Sequence, residues 1–237
     1  MLLNMGVDVN KRCGFGTIDH GASCFFMPLE GASCCGYVAL AKILLDAGAD
    51  VSGKYDDEYG SGYDVPIISA CMMHRTEMVE LLISYKANIE LKNERSGFTP
   101  LIISSKFGHL EAVKILLALG ANKEARDTRG NTAFIASCSY GIGNVDIMKM
   151  LVDNGCDKDV INNEGNSALH IACKFGCVNA VKFLLSIGVK TDHINSKRKI
   201  PIQVALTPRK RLSKELRERQ LQDRKSTRLN SSHGKLS

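Results

Sequence analysis

The chain has 237 residues, of which 44% are apolar and 24% charged, with no tryptophan and a formal net charge of +6. This composition is ordinary for a soluble globular protein. No apolar run approaches the roughly 18 residues that a membrane-spanning helix needs, and the apolar start at residues 1–4 is too short for the core of a signal peptide. Nine cysteines without a signal therefore predict a reducing intracellular compartment, cytoplasmic or nuclear.

A short phrase recurs six times along the chain, most clearly as Thr99-Pro100-Leu101 and Ser167-Ala168-Leu169. Its second residue returns every 33 to 38 residues, at Pro28, Pro66, Pro100, Ala133, Ala168 and Pro201. A period near 33 residues is typical of a solenoid, in which each supersecondary unit stacks on the next. The sequence therefore predicts an array of at least six units.

Each unit begins with this phrase, which predicts the start of a short helix. Thr99, Thr132 and Ser167 are good N-caps, because a hydroxyl oxygen can accept a backbone N–H. The other units have no such side chain at the cap: Met27, Val65 and Ile200. A glycine, such as Gly108 or Gly176, ends the first helix, and an apolar run of about nine residues predicts a second, antiparallel helix. Polar turn residues then predict a hairpin-like finger before the next unit.

The opening phrase, the glycine between the helices and the closing Gly48-Ala49-Asp50 and Gly120-Ala121-Asn122 make the chain resemble the ankyrin-repeat family over roughly residues 2–206. The resemblance implies an all-α solenoid of stacked helix-turn-helix units with hairpin-like finger loops. It also implies a protein-binding module that uses a concave surface, built from the finger tips and the exposed side of the first helices.

The resemblance assigns a structural role to one histidine. His170 occupies the family's histidine position, where we expect it to bond to the Ser167 hydroxyl and to tie neighbouring loops together. The remaining units depart from the family at this position: Glu30, Ile68, Ile102, Ile135 and Gln203. The usual bracing of the loops is therefore not expected in most units.

The predicted organisation has four parts. Residues 1–10 match the end of a repeat whose beginning the sequence does not contain, and residues 11–26 form an inserted loop. The repeat domain spans residues 27–222, with units opening near residues 27, 65, 99, 132, 167 and 200, of which the last is a charged capping unit. Residues 223–237 form a disordered basic tail, and from about residue 224 they resemble a translated adapter or vector scar.

Candidate partner-binding residues lie just before the glycine between the helices and in the fingers. Phe107, Tyr140 and Phe175 recur at one position in successive units, and Lys106 and Lys174 precede two of them. Aromatic residues amid scattered charge are typical of an interface centre. The alternative is that these rings pack between neighbouring repeats. The full candidate set is Tyr55, Tyr59, Tyr63, Met72, Met73, Phe98, Lys106, Phe107, Arg129, Tyr140, Lys174 and Phe175.

Residues 53–64 form a second insertion, which is acidic and contains three of those candidates, Tyr55, Tyr59 and Tyr63. Long loops of this kind are often binding elements. The alternative is a tolerated insertion, which costs little free energy.

No catalytic site, metal site or cofactor is predicted. The sequence contains no convincing set of nucleophile, base and orienting group, and no glycine-rich phosphate loop after a strand. Three cysteines share a position at which the resemblance implies alanine, so they are expected to be small buried side chains: Cys71, Cys138 and Cys173. A metal site at Cys13, His20 and Cys24, with Cys34 and Cys35 downstream, is the alternative, but its spacing is not that of a standard zinc site.

The positive net charge is concentrated in the tail after Pro208. Such a tail can bind phosphate nonspecifically, but no base-reading motif accompanies it, so a nucleic-acid partner is not expected. We predict an intracellular protein-interaction module with an unidentified protein partner, monomeric unless its exposed N-terminal repeat face pairs. The alternatives are the recognition arm of a larger enzyme or targeting protein, and a structural spacer.

Overall fold

The structure is a computed structural model that describes residues 8–11, 13–15, 24–53, 65–139 and 144–206. Within these ranges it shows pairs of short helices joined by extended turns. The first helices of the units are α1 (Pro28–Cys35), α3 (Pro66–Met72), α5 (Pro100–Phe107), α7 (Ala133–Ser137), α9 (Ala168–Phe175) and α11 (Pro201–Ala205). The second helices are α2 (Val38–Asp46), α4 (Thr76–Ser84), α6 (Leu110–Ala118), α8 (Val145–Asp153) and α10 (Val178–Ser186).

The predicted all-α solenoid is confirmed, with one addition inside the segment expected to be an inserted loop. Two three-residue strands, β1 (Cys13–Phe15) and β2 (Cys24–Phe26), pair antiparallel, with Cys13 opposite Phe26. They form a small ribbon immediately before α1. Among the helices of the described ranges, none is both long and apolar enough to cross a lipid bilayer.

The helices form two parallel rows. Along the first row, each of α1, α3, α5, α7 and α9 packs against the next first helix, and along the second row each of α2, α4, α6 and α8 packs against the next second helix. A single core runs through both rows. Its most regular members are fully buried leucines at one position of the second helices: Leu82, Leu116, Leu151 and Leu184. Each unit is thus stable only against its neighbours, as expected for a solenoid.

The helix caps largely follow the sequence. The Oγ1 atoms of Thr99 and Thr132 accept the backbone N–H groups of Ile102 and Ile135 at 3.3 and 3.5 Å, which confirms two of the three predicted caps. The third, Ser167, directs its hydroxyl towards Nδ1 of His170 instead. In the last unit Ile200 provides no side-chain cap, as predicted. The Oε1 atom of Gln203 reaches back to accept the backbone N–H of Ile200 at 3.1 Å, which is the reciprocal half of a capping box.

His170 has the predicted structural role. Its Nδ1 accepts the backbone N–H of Ser167 at 3.2 Å and lies 2.9 Å from the Ser167 hydroxyl, which confirms the expected bond. Its Nε2 faces the backbone carbonyl of Lys199 at 3.0 Å, in the finger of the following unit. Since the carbonyl can only accept and the Ser167 N–H can only donate, the network fixes the neutral ring with its proton on Nε2.

A buried side chain lies at the base of each described finger: Asn93, Asp127, Asn162 and Asn195. Its Oδ1 atom accepts backbone N–H groups of the same finger. In the finger of Asn162 these donors are Glu164 and Asn166, at 3.0 and 2.9 Å. Such bonds hold the turn closed without help from a β-sheet.

The same side chains also link one finger to the next. The Nδ2 atom of Asn162 donates to Oδ1 of Asn131 at 2.9 Å, and Nδ2 of Asn195 donates to Oδ1 of Asn166 at 2.8 Å. Asn131 in turn donates to Asp127 at 2.9 Å. We call this series of side-chain bonds from residue 127 to residue 195 the finger ladder.

Backbone bonds run beside the finger ladder at three successive junctions. The donors are Thr128, Asn163 and Ser196, and the acceptors are the carbonyls of Ser96, Arg129 and Glu164, each at 3.0 Å. The close approach requires glycine at Gly130, which has a φ of 77° and whose added Cβ would lie 2.2 Å from Oδ1 of Asn163. The fingers therefore stack in one repeated geometry.

Replacing Asn162 with alanine should destabilise the array by about 3 kcal/mol, because two buried N–H groups lose their acceptor and Asn131 loses a donor. The measurement is the urea midpoint followed by far-UV circular dichroism. Asn179→Ala is the matched control, since Asn179 is exposed on α10, and its midpoint should be unchanged or slightly higher. Equal midpoints for the two variants would show that the finger ladder contributes no stability.

Acidification should destabilise the fold through His170. Burial lowers the pKa of this histidine and nearby His193 lowers it further, while the bond to the Lys199 carbonyl raises it. The unfolded chain, with a histidine pKa near 6.5, thus binds the proton more readily than the folded protein. Stability is therefore lost as the pH falls from about 6.5 towards the lower folded pKa.

His170→Gln should reduce that pH dependence. We expect the melting temperature to fall less in the variant than in the parent protein between about pH 7.5 and 5.5, where carboxylates stay mostly ionised. His109, whose pKa is also lowered, contributes equally in both proteins. The same fall in both proteins would place the titrating group elsewhere.

Candidate functional site

The candidate surface consists of the exposed ends of the first helices and the fingers beside them. We call it the finger–helix surface, and within the described ranges it includes the ends of α3, α5 and α9 and the fingers at residues 93–98, 127–131, 162–166 and 195–199. The first helices end here in a residue pair just before the turn: Met72-Met73, Lys106-Phe107 and Lys174-Phe175.

The centre of this surface is a cluster around Lys106. Its Nζ lies 4.4 Å from the centre of the Phe98 ring and 5.8 Å from that of Phe107. Phe98 is half-buried against the core, whereas Phe107 is 38% exposed. Burial lowers the pKa of Lys106, the positive charge of Arg129 lowers it further, and Asp127 raises it. The structure thus brings together four of the predicted residues, from one helix and two fingers: Phe98, Lys106, Phe107 and Arg129.

A second group of rings adjoins Phe107 and was missed by the sequence analysis. The rings of His74 and His109 stack with their centres 4.4 Å apart and their planes 3° from parallel, and His109 lies 6.1 Å from Phe107. Met73, which was predicted, is 43% exposed beside this group in sequence. The sequence contains one indication of His109, which directly follows Gly108 in the turn that ends α5.

His109 bonds to the preceding unit, and the residues at the equivalent position of other units do the same. Its Nδ1 faces the carbonyl oxygen of Cys71, in the preceding unit. At the equivalent position, Nε of Arg75 donates to the carbonyl of Cys34 at 3.3 Å, and Sγ of Cys177 donates to that of Cys138 at 3.5 Å. These bonds satisfy the ends of the preceding first helices, so the position holds the units together as well as bordering the surface.

The same position differs in burial from unit to unit. Phe175 is half-buried against the core, with Nζ of Lys174 5.9 Å from its ring centre, while Phe107 is exposed. Met72 likewise packs partly into the core. The burial of Phe175 agrees with the packing interpretation, and Phe107 is the more accessible ring.

Several predicted elements lie outside the described residues. Among the candidate partner-binding residues these are Tyr55, Tyr59, Tyr63 and Tyr140. The same holds for His20 of the alternative metal site and for residues 207–237, which comprise the end of the predicted capping unit and the basic tail. The four tyrosines remain predictions.

The structure shows free thiols at seven cysteines: Cys34, Cys35, Cys71, Cys138, Cys156, Cys173 and Cys177. Cys71 and Cys138 are fully buried, and burial raises the pKa of each to about 12, so neither is a thiolate near neutral pH. Cys173, expected to be buried as well, is only partly so, because it lies nearer the end of its unit stack. Within the described ranges, no three His, Cys, Asp or Glu side chains are grouped so as to hold a metal ion.

Comparison with known proteins identifies the repeat. A family model described as ankyrin repeats (3 copies) matches residues 29–127 and 119–197. Ankyrin repeat protein OPG189 of Variola virus is 32% identical over 144 residues, which are 60% of this chain and 24% of that protein. Ankyrin repeat and KH domain-containing protein mask-1 of Caenorhabditis elegans is 30% identical over 104 residues, 43% of this chain and 4% of that protein. Ankyrin repeat domain-containing protein 63 of Mus musculus is 36% identical over 69 residues, 28% of this chain and 17% of that protein. The chain thus spans less than a quarter of the length of these relatives.

Alanine substitutions should separate the binding and packing roles of the two rings. Phe107→Ala should cost about 1 kcal/mol of unfolding free energy and Phe175→Ala about 2 kcal/mol, because the second ring is the more buried. Fully buried Phe134 gives the upper reference, at about 3–5 kcal/mol for Phe134→Ala. Urea midpoints test this order, and a cost for Phe107→Ala as large as for Phe134→Ala would assign Phe107 to packing.

Proposed function

The chain belongs to the ankyrin-repeat family, and on that premise we propose that it binds a partner protein through the finger–helix surface. Ankyrin repeats generally mediate protein–protein interaction, while fold alone does not identify a site. The resemblance places the binding face of such arrays on the fingers and first helices. In this chain that face carries an exposed ring, Phe107, beside cations and half-buried rings.

The observation that carries the proposal is the arrangement around Phe107. A ring that is exposed yet flanked by Lys106 and stacked near His109 has little freedom left to lose when a partner covers it. Rigid aromatic and cationic side chains of this kind supply most of the binding energy in protein interfaces. Met73, exposed next to the stacked histidines, adds an adaptable apolar contact.

The proposed module performs no catalysis in this segment and acts in a reducing, intracellular compartment. The raised pKa values of Cys71 and Cys138 support the absence of catalysis, because these thiols are not nucleophilic thiolates. The free thiols support the reducing compartment. No described feature favours a catalytic arm or a plain spacer, so these stay as lesser alternatives. The insertion that contains Tyr55, Tyr59 and Tyr63 is proposed as a secondary contact.

The test compares the finger–helix surface with the opposite side of the same unit. The parent chain, a Met73→Ala/Phe107→Ala variant and a Leu119→Ala variant serve as baits for proximity labelling and quantitative mass spectrometry. Leu119 is 50% exposed at the end of α6 and provides the matched apolar control.

We expect proteins enriched by the parent to be lost by about tenfold or more with Met73→Ala/Phe107→Ala and retained with Leu119→Ala. Circular dichroism of both variants establishes that they are folded. Retention of the same proteins by all three baits would remove the finger–helix surface from the interaction, and no enrichment over an unrelated protein of similar size would support the spacer.

A further inference from the structure

We infer that the partner segment is an acidic peptide whose carboxylates fall into two groups, because the finger–helix surface presents two separate pairs of cations. The first pair is Lys106 and Arg129, and the second is Lys174 and Lys197. This inference rests on the proposed function and adds to it the chemistry and spacing of the ligand.

The first pair places two cations near one another beside a single buried carboxylate. Arg129 lies close enough to Lys106 to lower its pKa. Asp127, the nearby anion, is buried, and its carboxylate oxygens already accept the backbone N–H groups of Arg129 and Asn131 and the side-chain amide of Asn131. A partner carboxylate at this place would relieve the repulsion between the two cations and form charge-assisted hydrogen bonds.

The second pair occupies the equivalent positions two units further on. Lys174 follows the start of α9 by the same number of residues as Lys106 follows the start of α5. Lys197 lies two residues after the buried Asn195, as Arg129 lies two residues after Asp127. Because the fingers are joined by the same backbone bonds at each junction, the second pair occupies the same backbone positions as the first. Arg129, Lys174 and Lys197 are all exposed.

The unit between the two pairs has the opposite character. Ser139 stands where the units on either side have Lys106 and Lys174, and Glu164 stands where the neighbouring fingers have Arg129 and Lys197. Glu164 is exposed, and its Oε2 accepts the side-chain amide of Asn166 at 3.0 Å, which fixes its position. An evenly acidic ligand would be repelled here, so the fitting ligand is neutral in its middle.

The stacking of the first helices sets the distance between the pairs. Helix α5 packs against α7, and α7 against α9. Packed helices lie about 8–10 Å apart, which puts the two pairs about 16–20 Å apart along the row. An extended peptide covers that distance with about five or six residues, at roughly 3.3 Å each.

The charge is specific to this surface rather than spread over the molecule. The second helices, on the other side, carry carboxylates as well as lysines, for example Glu77, Glu80 and Lys114, and the last of these pairs with Glu111 at 2.6 Å. An acidic segment would thus be steered towards the fingers and first helices. A nucleic-acid strand fits less well, because it carries a phosphate at every nucleotide and would place one beside Glu164.

Fluorescence anisotropy with synthetic peptides tests the inference on the full chain. The probes are labelled peptides with two Glu-Glu pairs separated by two, about five, or about ten Ser and Gly residues, and a labelled single-stranded RNA of similar length. The protein variants are Arg129→Glu/Lys197→Glu and the matched control Lys42→Glu/Lys182→Glu. The control reverses two exposed lysines on α2 and α10 and changes the net charge equally.

We expect the peptide with the spacer of about five residues to bind at least about threefold more tightly than the other two, and added salt to weaken it. Arg129→Glu/Lys197→Glu should weaken that peptide by about tenfold or more, and Lys42→Glu/Lys182→Glu by less than about twofold. The inference would be overturned if the three peptides bound with equal affinity, or if the two protein variants weakened binding equally. If the RNA bound more tightly than every peptide, and Arg129→Glu/Lys197→Glu abolished that binding, the acidic peptide would be replaced by a nucleic acid as the ligand.

The two proposals can fail separately. If Met73→Ala/Phe107→Ala abolishes the labelled partners while Arg129→Glu/Lys197→Glu does not, protein binding by the surface stands and the acidic ligand is wrong. If neither variant changes the labelled partners, both proposals fail together.

Discussion

The array depends on the buried side chains of the finger ladder. Asp127, Asn162 and Asn195 are buried, with 9% or less of each exposed, so their polar atoms require partners within the protein. Some partners come from the same finger and the others from the next one, as with Nδ2 of Asn162 and Oδ1 of Asn131. A unit that separated from its neighbour would leave buried donors unpaired as well as exposing core leucines. Burial of apolar side chains stabilises the stacking of the units, and the finger ladder determines the register in which they stack.

That register makes a surface from residues far apart in sequence. Arg129 belongs to the finger after the unit of Lys106, yet the two cations influence one another because the fingers are bonded in one geometry. The backbone N–H of Arg129 is itself bonded to Asp127, so the residue that stabilises the turn also positions the cation. Rigid turns of this kind let an array present charge without a large entropic cost on binding.

The sequence was sufficient for most of the residues that act within their own unit. The caps at Thr99 and Thr132, the bond between His170 and Ser167, and the all-α architecture follow from local chemistry. Contacts between units were not predictable in this way. Three such contacts depend on the offset between neighbouring units, which no local sequence pattern encodes. They are the stack of His74 on His109, the proximity of Lys106 and Arg129, and the finger ladder. Gln203 is an exception within its own unit, because its side chain lies three residues inside the helix and yet bonds to the backbone N–H of Ile200.

A repeated position has a shared geometry but not a shared role. Phe107 and Phe175 end the same helix in two units, yet one ring is exposed and the other half-buried. The same contrast separates Arg129 and Lys197 from Glu164, where one position carries opposite charges. Since the scaffold places these side chains at regular intervals, the differences between units are what a partner can recognise. A ligand could bind an array with a uniform surface at any register along its length. In this chain Glu164 replaces a cation at one position, so only a ligand whose charges match the order of the units fits.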